Sequence, residues 1–264
     1  MEGSDRKVEG RGRPRKPRRR RNRWDRSRYP LLIYSGPVFR VVSYLTNRLT
    51  QILGWILVAP FYVLKPLGHK KLPAGPAILA SNHTMYLDPL FILCSVFPRS
   101  SFFTGQTSHF SVPIGGTMLR FMRSFPIPVE NPIKRLIPTA ANIFGRGLYM
   151  HMFVEGRMRL RRQILQPFRI GAFDLAVRFD IPIVPIALVI RYHRLFGRRL
   201  PYPPRVKVVF LDPISPGDVS AEYVSKEPNK HVAVLLRDRC HKRIQEAIVE
   251  HCGEDLPAVQ KRRS

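Results

Sequence analysis

From residue 76 onward, apolar runs of four to seven positions alternate with stretches whose apolar residues recur at helical spacing. Runs at 77–80, 150–154 and 183–189 predict buried strands, and the alternation in Arg-Val-Lys-Val-Val-Phe at 205–210 predicts a strand of edge type. Helical patterns fall between them, at about 89–97, 115–123, 134–147 and 169–179, and a last amphipathic one runs over 231–252. Strand-helix alternation of this kind predicts an α/β fold, a central mixed sheet flanked by helices. Pro182 and Pro185 remove ladder donors from the 183–189 strand, which predicts that it lies at an edge or bends to shape a pocket.

The segment before this pattern is apolar without alternating. Residues 29–68 are rich in Leu, Ile, Val, Tyr, Phe and Trp, and no charged residue occurs between Arg48 and Lys65. A spanning helix needs about 20 apolar residues. This stretch is shorter and holds Pro60, so two helices lying in a membrane interface, around 37–50 and 50–64, suit it better than one span. Trp55 and Tyr62, with the flanking Arg40, Arg48, Lys65, Lys70 and Lys71, are suitable interfacial anchors.

Charge changes the picture at the N-terminus. The chain carries 45 Lys and Arg against 18 Asp and Glu, a net +27. Residues 1–28 account for +9 of it and hold almost nothing to bury, so they are expected to be a disordered basic tail. The remainder is still strongly basic and seeks polyanions, whether anionic lipid headgroups, phosphorylated substrates or nucleic acid. Three unevenly spaced cysteines, Cys94, Cys240 and Cys252, suggest neither a disulfide framework nor a zinc site and fit a reducing compartment. The expected organisation is a tail at 1–28, membrane-associating helices at 29–68 and a catalytic domain at 69–264.

Candidate chemistry centres on Asn82-His83-Thr84-Met85-Tyr86-Leu87-Asp88, which follows the first strand and precedes Pro89. Residues five apart on one helix point in well-separated directions, whereas a strand-to-helix loop lets His83 and Asp88 meet. A carboxylate on one ring nitrogen fixes the histidine tautomer, and the other nitrogen then takes a proton from an alcohol. No serine or cysteine nucleophile adjoins the pair, so it reads as a base that activates a substrate hydroxyl. Read more plainly, Asp88 is a helix N-cap before a first-turn proline, and His83 is a loop histidine. A second group, Phe153-Val154-Glu155-Gly156-Arg157-Met158-Arg159, ends a strand in a carboxylate, a flexible glycine and forked donors matched to phosphate. Taken alone it also reads as a solvated basic turn.

In order and spacing, these motifs resemble the glycerolipid acyltransferase family, typified by 1-acylglycerol-3-phosphate acyltransferases. Its first block, Asn-His followed by four residues and Asp, is matched by Asn82, His83 and Asp88. The third block is matched at Phe153, Glu155 and Gly156, and is followed by a family-like Phe-Arg-Ile-Gly-Ala-Phe at 168–173. The fourth is matched by Ile-Pro-Ile-Val-Pro-Ile at 181–186, which contains Pro185. The second block departs from the family. Glu130 is followed by Asn131 where an arginine is usual, and Val154, Arg157, Met158 and Arg159 replace the usual third-block residues.

The resemblance implies transfer of an acyl group from acyl-CoA or acyl carrier protein to a lysophospholipid hydroxyl, in phospholipid biosynthesis. His83 and Asp88 would be catalytic, and Asn82, Glu130, Glu155, Gly156, Arg157, Arg159 and Pro185 would contact substrate, with no metal or cofactor required. It also implies attachment to a membrane at its cytoplasmic face. Two other readings stand beside it: transacylation between a phospholipid and a lysophospholipid, as in tafazzin-like relatives, and a non-catalytic binding role. For the tail, Arg11-Gly12-Arg13-Pro14 resembles a minor-groove DNA element, but beside an apolar segment anionic lipid is the preferred partner.

Overall fold

The computed structural model describes residues 31–253 apart from 35, 161–162, 197, 201 and 221–227. The basic tail, with its proposed lipid and DNA contacts, lies outside the described residues. In chain order the elements are α1 (Pro37–Leu53), β1 (Lys65–Leu67), β2 (Ile78–Ser81), α2 (Asp88–Ser95), β3 (Ser101–Gln106), α3 (Pro113–Phe121), β4 (Ser124–Ile127), α4 (Pro132–Phe144) and β5 (Tyr149–Phe153). Then come α5 (Gly171–Phe179), β6 (Ile183–Arg191), a small hairpin of β7 (Arg194–Leu195) and β8 (Arg198–Arg199), β9 (Arg205–Phe210), α6 (Pro216–Ser220) and α7 (Pro228–Cys252).

Seven strands form one mixed sheet in the order β1-β9-β6-β2-β5-β3-β4, parallel throughout except for the β6–β9 pair. Helices bury both faces. One apolar cluster joins the sheet to α4, α5 and α7 through Leu136, Phe173, Leu236 and Ile244. The other joins it to α2 through Phe91, Ile92 and Leu93. The expected α/β architecture is present.

Several details correct the sequence reading. The proline-bearing strand β6 is interior, between β9 and β2. The Pro185 carbonyl accepts the Leu211 N–H at 3.0 Å, and pairing resumes at the Ile183–Ile214 bridge with one extra residue on the second strand, so the donor that proline lacks falls at a bulge. The 205–210 strand is interior as well, because the three-residue β1 lies outside it. That pairing places Lys65–Leu67 in the sheet, although residues up to 68 were expected to belong to the preceding helical segment.

The two interfacial helices expected over 37–64 are one helix, α1, continued by a π-helical turn at Gly54–Val58. Gly54 sits where a Cβ would lie 2.5 Å from Cys94 Sγ, so only glycine permits this approach to α2. The inner face of α1 is polar. Ser43, Asn47 and Gln51 are buried, and the Gln51 amide donates to the carbonyls of Leu93 (2.9 Å) and Arg99 (2.8 Å). Among the described residues no helix is long and apolar enough to cross a membrane.

Candidate active site

The C-terminal ends of β2 and β5, adjacent and parallel, carry the two sequence groups side by side. After Ser81 the chain leaves the sheet, and Asn82 clamps the departing loop to β6. Its Oδ1 accepts from Leu188 N at 2.8 Å and its Nδ2 donates to Leu188 O at 3.0 Å. Both ends of the amide are therefore held by backbone, and Asn82 acts as an anchor for the loop where a substrate contact was expected. Pro185 likewise lies within the sheet opposite Ala80, below the level of the loop.

His83 and Asp88 meet. His83 Nδ1 lies 2.8 Å from Asp88 Oδ2, and that oxygen also accepts the backbone N–H groups of Thr84 (2.5 Å) and Met85 (2.8 Å). An oxygen surrounded by donors leaves Nδ1 as the protonated ring nitrogen, so Nε2 is the basic one. Asp88 is the first residue of α2, and its side chain turns back onto the preceding loop without capping the helix. The plain N-cap reading is thereby set aside. The His83 side chain is 20% exposed and stacks on Phe153 at 3.8 Å between centroids, which fixes the ring's plane.

Beneath this stack lies His151, fully buried and 4.5 Å edge-on from Phe153. Ser81 Oγ donates to the Asn82 carbonyl and so accepts from His151 Nε2 at 2.9 Å. Burial and the neighbouring His83 push His151 down to about 3, so it stays neutral. The sequence reading missed it, because one polar residue in Tyr-Met-His-Met-Phe does not break a buried-strand pattern. Thr84 was missed too, although its hydroxyl lies 3.2 Å from Asp88 Oδ1.

The second group closes around the first. Arg159 N donates to the His83 carbonyl at 3.2 Å, and its guanidinium acts on Glu155. Gly156 has φ +68°, and a Cβ there would lie 2.1 Å from Arg169 Nε, so glycine is needed both for the turn and for the packing of Arg169. Arg157 and Arg159 are exposed at the rim. Glu130 is not brought into contact with the pair. It follows outer strand β4, three positions across the sheet from β2, and its exposed carboxylate lies 3.7 Å from Arg135.

Glu155 is 7% exposed, and burial raises its carboxyl to about 7; Gln166 N–H and Arg159 oppose the rise, and Asp88 adds to it. A folded-state pKa above the unfolded value means that its contribution to stability is full below about 4.5 and is lost as pH rises through about 7. Glu155→Gln is therefore expected to gain on the parent protein as pH rises from 5 to 8.5, by about 3 kcal/mol at most. Urea unfolding of both proteins at the two pH values measures this, and parallel pH profiles would refute it.

An acyltransferase family model matches residues 65–189. The chain is similar to a chloroplastic 1-acyl-sn-glycerol-3-phosphate acyltransferase of Brassica napus, 30% identical over 138 residues, covering 51% of this chain and 39% of that protein. It is also similar to a chloroplastic enzyme of the same description from Arabidopsis thaliana, 30% identical over 165 residues, covering 61% of this chain and 45% of that one. The chain thus spans less than half the length of these two relatives. The crystal structure of the 1-acyl-sn-glycerophosphate acyltransferase PlsC from Thermotoga maritima superposes with a TM-score of 0.47 and 15% identity, covering 78% of this chain and 79% of that one.

Proposed function

We infer that this chain, which belongs to the glycerolipid acyltransferase family, transfers a fatty acyl group from a thioester donor to the hydroxyl of a lysophospholipid such as lysophosphatidic acid. The observation that carries this reading is the 2.8 Å contact of His83 Nδ1 with Asp88 Oδ2, which leaves Nε2 as the basic nitrogen of a partly exposed ring.

In the proposed reaction Nε2 removes the acceptor's hydroxyl proton while the oxygen attacks the thioester carbonyl. The tetrahedral intermediate collapses by breaking the carbon–sulfur bond, and the proton on Nε2 passes to the leaving thiolate. Ester and free thiol result, and His83 is regenerated. Acyl-CoA and acyl carrier protein are both anionic donors suited to a basic protein. Arg157 and Arg159, exposed beside His83, are the groups we assign to the acceptor's phosphate.

The test is transfer from labelled acyl-CoA to lysophosphatidic acid and to lysolipids lacking a phosphate monoester. Product that requires acyl-CoA and favours lysophosphatidic acid supports the reading. Product formed equally well from a diacyl phospholipid without acyl-CoA would replace it with transacylation.

The reaction is proposed to take place at a membrane surface, with α1 as the docking element. Opposite its polar inner face, α1 exposes Val38, Val41, Val42, Leu45, Leu49 and Ile52. This reverses the usual arrangement of a surface helix and suits one lying in a lipid interface. Leu45→Asp combined with Leu49→Asp is expected to lower partition onto phospholipid vesicles by about 100-fold, since each change moves an apolar contact to a charge, without lowering the unfolding temperature. Sedimentation with vesicles checks it, and unchanged partition would place the docking surface elsewhere.

A further inference from the structure

We propose that a second site, at the end of the sheet opposite His83, binds the phosphate group of an anionic membrane lipid through Arg48, Arg123 and Arg146. Arg123 immediately precedes β4, and Arg146 lies in the turn between α4 and β5. Both therefore sit at the N-terminal ends of parallel strands, whereas His83 and Glu155 follow the C-terminal ends. A five-residue strand such as β5 separates the two ends by about 15 Å.

Two aromatic rings link the three guanidinium groups. Arg48 lies 5.0 Å and Arg123 5.8 Å from the Tyr44 ring centroid; Arg123 lies 5.4 Å and Arg146 5.8 Å from that of Phe102. Stacking on aromatic faces holds a guanidinium in place while leaving its N–H edge for a ligand, save for the Arg48 Nη1 that donates to Gln51 Oε1 at 2.9 Å. Among the described residues no carboxylate forms an ion pair with any of the three or with nearby Arg40.

The centre of the group is a buried cation with a donor to spare. Arg123 is 4% exposed, and its Nε has no hydrogen-bond partner. One turn from Tyr44 on α1, Asn47 is 1% exposed; its Oδ1 accepts from Ser100 Oγ at 2.5 Å, but its Nδ2 is also unpartnered. Burying an uncompensated charge and leaving donors unsatisfied both carry a free-energy cost. The strain is visible in Arg123, which burial and then Arg146 and Arg48 pull down to about 10, and in Arg146, lowered by burial and Arg40. A bound phosphate relieves all of this at once, because it supplies negative charge and several acceptors.

The neighbouring surface indicates where that phosphate comes from. Arg40, Tyr44 and Arg48 form an i, i+4, i+8 stripe along α1, between the buried Ser43-Asn47-Gln51 face and the exposed Val41-Leu45-Leu49 face. A headgroup held there leaves its acyl chains beside the apolar face. The lipid source rests on the docking role proposed for α1, while the anion site itself does not.

The experiment uses the full chain and compares Arg48→Gln with Arg146→Gln, both half-buried positions, against a charge-matched control of Arg237→Gln with Lys242→Gln on α7. The first readout is the unfolding temperature as inorganic phosphate replaces chloride at constant ionic strength. The second is partition onto phosphatidylcholine vesicles with and without phosphatidylglycerol. The expected result is a saturable phosphate-dependent rise that the site variant loses and the control keeps. The gain in partition from phosphatidylglycerol is expected to fall about 30-fold in the site variant alone. A phosphate effect that survives in the site variant overturns the site. Loss of the phosphate effect with unchanged gain from phosphatidylglycerol overturns the lipid as its source. Failure of the parent protein to bind vesicles of either kind would instead overturn the docking role of α1 and, with it, the lipid source, leaving the phosphate readout to decide the site.

Discussion

Alanine at position 83 is expected to lower acyl transfer by about 10²–10⁴-fold while changing stability by only about 1 kcal/mol. The rate falls because no other described group stands in the same relation to the rim. His151, the nearest imidazole, is fully buried, holds Ser81 through Nε2 and stays neutral under the influence of burial and His83. Stability changes little because Asp88 keeps the N–H groups of Thr84 and Met85 when the imidazole is removed. Loss of the ring also frees one face of Phe153, a partly exposed contact. Transfer rates and urea unfolding of the two proteins decide the matter. A variant that folds and transfers at the parent rate would remove His83 from the chemistry.

Long apolar runs made β2, β5 and β6 visible in the sequence, and helical spacing did the same for α4, α5 and α7. The strands that escaped are short or punctuated. Ser101–Gln106 contains serine, threonine, glycine and glutamine, Ser124–Ile127 contains proline, and Lys65–Leu67 has three residues. Their place in the sheet comes from pairing, which no local pattern records. For β6 the rule that proline belongs at an edge was sound, but it applies to the direction in which the missing donor would point. Pro185 faces a bulge between its Leu211 contact and the Ile183–Ile214 bridge, so the strand sits inside the sheet with its missing donor at an irregular step of the pairing.

The candidate site was legible in proportion to how local it is. His83 and Asp88 are five residues apart in one loop, and chain geometry alone brings them within reach. Asn82 belongs to the same motif, yet its task is fixed by Leu188, 106 residues away, and only the tertiary structure shows the amide fully engaged there. Glu155 and Arg159 join the site because β5 pairs with β2, whereas Glu130 follows β4 and stays at the outer edge. Along α1 a signal was present, since Ser43, Asn47 and Gln51 recur every four residues on the side away from Val41, Leu45 and Leu49. What the sequence lacked was the sign, because a polar stripe marks the water side of most helices and here it faces the protein.

Asp88 does two jobs, and two substitutions are expected to separate them. Its Oδ2 accepts from His83 Nδ1, Thr84 N and Met85 N, while Oδ1 lies 3.2 Å from Thr84 Oγ1. An asparagine with its oxygen in the Oδ2 place keeps all three acceptor contacts, and its amide donates to the threonine hydroxyl. Asp88→Asn is therefore expected to fold with nearly parental stability and to keep His83 in the same tautomer. What it lacks is the charge that steadies the imidazolium formed as the acceptor's proton is taken. Two unit charges about 4 Å apart at an effective dielectric near 20 interact by about 4 kcal/mol, so a loss of about 10²–10³-fold in rate is expected. Asp88→Ala removes the acceptors as well, leaving two buried N–H groups unpaired and the His83 ring unheld, at a cost of about 3 kcal/mol in stability and a rate no better than that of His83→Ala. Single-turnover transfer and urea unfolding of the series test this order. Equal rates for Asp88→Asn and the parent protein would show that orientation alone matters, and a stable, active Asp88→Ala would dissolve the pair.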